Sequence, residues 1–240
     1  MRAVRKLSDC FTAPILDYTA ALEAAFPVFK PSSMIVIIVA AGVTWWVYVP
    51  IHELLHAYGC LWTGGEVTRL EIDAAYGAAW LQQCFPFVAV GSEYAGQLTG
   101  FDTRGSDLTY LATDFLPFVL TILIGVPLLR SAIGDKRPLR AALKLGVAMP
   151  IAFAPFISIT GDYYEMGSIV VSRVTSVFIA GFDVERWRSD DLFKLAGELE
   201  AGDGTLADAL GLSIAFVVGV VLMFATYAAG SLWARWLRAR

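Results

Sequence analysis

Apolar residues run almost unbroken from about Met34 to Trp62, from about Leu108 to Leu129, from about Ala141 to Ile159 and from about Leu206 to Leu237. A bilayer core takes about 20 mostly apolar helical residues, so the pattern predicts about four membrane spans. Pro50 sits inside the first, where it frees a backbone carbonyl. Pro150 and Pro155 break the third, and Gly161-Asp162 follows it. Gly167 to Phe182 is apolar except for Arg173, and either continues the third span or lies along the interface.

Residues 63 to 107 are too polar to cross. After Gly64-Gly65, Thr68, Leu70 and Ile72 alternate with Val67, Arg69 and Glu71, as in a half-buried strand. Trp80 to Phe85 is a candidate partner in a hairpin, with a plain loop as the alternative. Residues before Met34 read either as an interfacial amphipathic helix with Leu7, Ile15, Leu22 and Phe26 facing lipid, or as a disordered tail. The expected fold is mostly α: a polytopic membrane helix bundle of about four spans with a small membrane-surface β-hairpin. Its parts are an N-terminal interfacial segment (1–33), a membrane core (34–182), a polar connection (183–205) carrying an amphipathic helix from Asp191 to Leu199, and a last transmembrane helix (206–240).

Composition agrees with this. Hydrophobic residues make up 57% of 240 and charged residues 17%, against about 45–50% and about 25% in soluble chains. A net charge of −4 with no basic tract excludes nucleic-acid binding. Cys10, Cys60 and Cys84 fit no zinc-knuckle spacing and read as small buried residues. Trp45, Trp46, Trp233 and Trp236 suit span interiors or interfacial belts. Of 18 Lys and Arg residues, twelve fall on the side shared by the N-terminus, the 130–144 turn and the C-terminus. The positive-inside rule places that side in the cytoplasm of what is expected to be a multi-pass protein of the cell membrane.

The chain holds two histidines, both in the run His52-Glu53-Leu54-Leu55-His56 near the end of the first span. Histidines four apart on a helix stand about 6 Å apart along its axis on nearly one face, so both can grip one tetrahedral ion. Glu53 is turned about 100° away, where it can reach a water without ligating the ion. Zinc lowers the pKa of such a water toward about 7. A carboxylate then takes the proton and returns it to a leaving amine.

A catalytic zinc needs a third protein ligand and one open position. Cys60 continues the same line but lies about 12 Å from His52 along the helix, too far to share the ion. Depth nominates Asp114 and Asp162 at matching ends of other spans, with Glu165 one turn beyond Asp162. Prolines and glycine loosen the helix before Asp162, which favours it. Asp162 could also cap a helix, and Asp114 could orient a histidine.

These features resemble the site-2 protease family of intramembrane zinc metalloproteases: H-E-L-L-H on the first span, Gly64-Gly65 with a strand-like segment, a following span, and Gly161-Asp162 after a proline-containing helix. The resemblance covers residues 34 to 180. It implies zinc held by His52, His56 and Asp162, with Glu53 activating water and a membrane protein as substrate. The chain departs from the family pattern at Leu55, where glycine is usual. It also has Ala154-Pro155 and Asp162-Tyr163-Tyr164-Glu165 where the family has Asn-x-x-Pro and Asp-Gly. With no asparagine in the chain, Tyr163 or Tyr164 is the expected substrate-steadying group. An edge strand at Thr68, Leu70 and Ile72 is expected to hold an unwound substrate segment. Two rivals remain open: a zinc-dependent membrane hydrolase of a lipid or small molecule, and a non-catalytic membrane scaffold.

Overall fold

The computed structural model describes residues 2–28, 30–202 and 204–240, with side chains from residue 10 onward. Helix α1 covers Arg2–Ala25 and α2 covers Pro31–Trp62. At 32 residues, α2 is about 48 Å long and outreaches the about 30 Å bilayer core. Three stretches among the described residues are long and apolar enough to cross a membrane: α2, Asp107–Ile133 and the final helix Leu206–Ala239. The Asp107–Ile133 stretch is composite. It joins α4 (Asp107–Phe115) through a 3-10 turn at Leu116–Phe118 and a π-turn at Thr121–Gly125 to α5 (Val126–Ile133). Pro127 cannot donate to the preceding turn, and the helix widens there. Thr121 Oγ1 donates to the Ile151 carbonyl at 2.6 Å.

The expected third span is interrupted. Helix α6 (Pro138–Ala152) stops after 15 residues, α7 is the short turn Ala154–Ile157, and α8 restarts at Asp162–Phe178. Pro150 and Pro155 withhold the amides that would carry one continuous ladder. The apolar run after Gly167 is therefore the body of a helix that resumes beyond the break. Gly146 lets α6 lie on α2, where an added Cβ would stand 2.7 Å from the Ile37 carbonyl. Gly167 and Gly219 do the same between α8 and the final helix.

Helix α1 packs on the bundle with part of the face expected to meet lipid. Ala21 and Ala25 are fully buried against α5 and α6, and Leu22 and Phe26 pack on the same core, so these two face protein and not lipid. Asp17 accepts from Arg130 Nε at 2.9 Å and from the Tyr227 hydroxyl at 3.1 Å, a pairing that ties α1 to the bundle. Ile15 is exposed as expected, and the Leu7 side chain lies outside the described residues. Next to this end, Arg140 and Lys144 hold the Asp135 carboxyl well below the usual carboxylate range.

In place of a hairpin there is a three-stranded sheet of order β2-β1-β3, made by β1 (Glu66–Ile72), β2 (Val88–Val90) and β3 (Gly96–Asp102). Strand β1 pairs parallel with β2 and antiparallel with β3. Trp80–Phe85 is not a strand: α3 occupies Ala78–Cys84. Gly77 turns the chain at φ 76°, and the strong helix formers Ala, Leu and Gln follow. The sheet runs back along α2 instead of across its end. Beyond β1, Trp45 Nε1 donates to the Tyr76 hydroxyl at 3.1 Å and Trp46 Nε1 to the Ala75 carbonyl at 2.6 Å. Those tryptophans lie about 25 Å along the helix from Trp62 and anchor the tip of the sheet to α2. Trp233 and Trp236 stack near the end of the final helix. Of the cysteines only Cys60 is buried; Cys84 is exposed.

The polar connection wraps the remaining side. Asp191 caps α9 (Leu192–Ala201) through the amides of Phe193 and Lys194. Asp208 near the start of the final helix, here α10, accepts two bonds from Arg186 and one from Trp187.

Candidate metal centre

Tyr48, His52 and His56 repeat at four-residue spacing and so share one face of α2. That face looks into the bundle, and all three are buried. The two Nε2 atoms stand 3.2 Å apart. Each remaining ring nitrogen has a partner: the Tyr48 hydroxyl is 2.8 Å from His52 Nδ1, and the Thr113 carbonyl is 2.9 Å from His56 Nδ1. A carbonyl only accepts, so Nδ1 of His56 carries the proton and its Nε2 presents a lone pair.

The break between α6 and α8 delivers the third group. The cap of α8 is the Gly161 backbone, with no side-chain cap, which leaves the Asp162 carboxylate free to turn toward α2. Its oxygens lie 3.6 Å from His56 Nε2 and 3.9 Å from His52 Nε2. Ser158, from the same break, lines the cavity beside His52 and Glu53. Ligands at about 2.0–2.1 Å in a tetrahedron are separated by about 3.3 Å. The three donor atoms, all within 4.8 Å of one another, fit one small ion with little adjustment. Two imidazoles and a carboxylate suit zinc and leave a fourth position free. The His52, His56 and Asp162 group can hold a metal ion.

Glu53 stays outside this group and lines a cavity of about 100 Å3 together with Tyr48, His52, Ala95, Ala154 and Ser158. Gly96, the first residue of β3, lies flat against it: an added Cβ would stand 2.7 Å from Glu53 Cδ. Strand β3 is an edge of the sheet and begins at this point. The polar connection also arrives here. Gln97 Nε2 donates to Asp190 Oδ2 at 2.6 Å, and the Leu192 amide donates to the Thr160 carbonyl at 3.0 Å.

Other expected residues fall elsewhere. Glu165 is buried and accepts from the Tyr110 hydroxyl. Asp114 is buried with Oδ2 lacking a hydrogen-bond partner among the described residues. Neither joins the ligand group, and the histidine is oriented by the backbone of Thr113, the neighbour of Asp114. Tyr163 and Tyr164 do not line the cavity: both are fully buried, donating to Thr226 Oγ1 at 2.9 Å and to the Trp187 carbonyl at 2.8 Å. Both hydroxyls are thus engaged in holding α8. The edge-strand expectation for Thr68, Leu70 and Ile72 also fails. Their strand is the central one, and Leu70 and Ile72 are fully buried.

Reading the sequence missed Tyr48, Thr113, Ser158 and Gly96. Only Tyr48 carried a usable signal, its spacing from His52. Comparison with protein-family models, with curated proteins and with solved structures finds no match for the chain.

Proposed function

We propose that this chain is an intramembrane zinc metalloprotease that hydrolyses a peptide bond in or near the transmembrane segment of a membrane protein. One observation carries the reading: His52, His56 and Asp162 converge from two elements, and Glu53 lines a cavity together with His52, beside the start of the edge strand β3. On this reading α6 to α8 forms a fourth, broken crossing beside α2, the Asp107–Ile133 stretch and α10. Non-helical backbone at membrane depth is tolerated where protein buries it or water reaches it, and the Ser158–Gly161 break faces such a cavity. The basic end, with Arg130, Arg140 and Arg238, lies in the cytoplasm of the cell membrane by its charge.

Zinc bound by the three ligands supplies a Lewis acid that polarises a carbonyl and acidifies water. Tyr48 and Thr113 hold the imidazoles in the ligating orientation. Glu53 takes a proton from a water in the cavity and passes it to the departing amine nitrogen. A helical substrate keeps its amides paired, so the segment to be cut has to unwind. The outer edge of β3 offers the unwound backbone new hydrogen bonds by strand addition, with Gly96 admitting it close to Glu53.

The test is Glu53→Gln in cells that co-express a single-span substrate, with metal content measured on the purified protein. Cleavage lost while about one zinc per chain remains is the expected result. Cleavage that survives the substitution, or wild-type protein that takes up no zinc, overturns the reading.

A further inference from the structure

A second, larger cavity of about 560 Å3 opens on the side of the bundle between α1, α2 and α6. Ala41, Gly42 and Trp45 supply one wall, Met149, Phe153 and Ile157 another. Its volume falls within the about 300–1,000 Å3 of ligand sites, and its walls are apolar. The break that frees Asp162 also makes this space, because α6 ends at Ala152 and Phe153 leaves the helical path. Trp45 and Ile157 line both this groove and the cavity that holds His52 and Glu53. The order along the molecule is therefore β3 edge, metal cavity, apolar groove.

We propose that the groove is the specificity subsite for the apolar side chains flanking the scissile bond on its bilayer side, an assignment that rests on the protease reading. A strand laid along β3 reaches the cavity at Ala95–Gly96, and its next residues meet the boundary that Trp45 and Ile157 share with the groove. Those residues come from a membrane-spanning segment and are apolar, as the groove is. Large side chains fill it, and alanine leaves it empty.

Gly42 gives the test. A Cβ added there meets no atom within 4 Å, and replacing an interior helical glycine favours the helix, so Gly42→Phe places a ring at the groove wall with its Cβ unobstructed, and its thermal midpoint checks that it folds. Wild type and variant, reconstituted with zinc in phosphatidylcholine vesicles, are given two single-span substrates that differ only in leucine or alanine on the bilayer side of the cut. The leucine-to-alanine ratio of kcat/KM is expected to fall about tenfold or more in Gly42→Phe; an unchanged ratio overturns the assignment. A photoreactive phenylalanine at the same substrate position is then added to the inactive Glu53→Gln protein. It is expected to cross-link to the Ala41–Trp45 stretch and to lose that product in Gly42→Phe. Cross-links to lipid alone, or to other helices, assign the groove to an acyl chain or to nothing and overturn the proposal. Failure of the protease reading shows separately, as wild-type cleavage that Glu53→Gln does not abolish.

Discussion

Tyr48 shows how much of the centre rests on single atoms. Its hydroxyl is the partner of His52 Nδ1, and losing such an outer partner costs about 10- to 100-fold in metal affinity. Tyr48→Phe is therefore expected to weaken zinc binding by that range, measured by chelator competition, while His56, held by Thr113, keeps its orientation. Gly96→Ala acts on the other side of the chemistry. A methyl group there collides with the Glu53 side chain, so cleavage is expected to fall sharply while zinc affinity stays within a few-fold of wild type. Equal losses in both measurements would show that Gly96 supports the fold and not the placement of Glu53. His52, Glu53 and His56 were legible because a four-residue spacing on an apolar helix has few other readings. Thr113 was not, since it acts through a carbonyl that every residue possesses.

At the scale of elements, close approach decides where Asp162 stands. Gly219 of α10 lies against the Tyr163 backbone, with an added Cβ 2.9 Å from its carbonyl carbon. Gly219→Val would push α8 away, at a cost of about 1–3 kcal/mol for overpacking, and would carry Asp162 with it. The expected outcome is a lower thermal midpoint together with weakened zinc binding. Retained affinity would show that the α7–α8 break absorbs the shift. The long apolar helices were readable because hydropathy alone defines them. Strand β3 was not: Gly96-Gln97-Leu98-Thr99-Gly100-Phe101-Asp102 shows no clean alternation, its two glycines standing where backbone and side chains approach closely. The helix at Ala78–Cys84 was misread because a short mixed run carries no period and its start is set by the backbone turn at Gly77.

For the whole molecule, the candidate ion bridges α2 and α8, which supply its ligands. A ligand that binds only the folded chain stabilises it by about 4 kcal/mol at a thousand times its dissociation constant. Stripping the metal with a chelator is accordingly expected to lower the thermal midpoint in detergent, and zinc to restore it. The His52→Ala protein should melt at one temperature with or without zinc; a matching shift in that variant would place the stabilising ion elsewhere. The general architecture followed from the sequence, but the course of the sheet did not. A strand-like pattern tells which face is buried, and only the bonds from Trp45 and Trp46 reveal that the sheet descends beside α2.

The interruption between α6 and α8 also imposes an order on biosynthesis. Both imidazoles leave the ribosome long before the carboxylate that completes their set, and α10, against which α8 is seated, is translated later still. A nascent chain therefore holds only part of the candidate ligand set until its closing helices have been made.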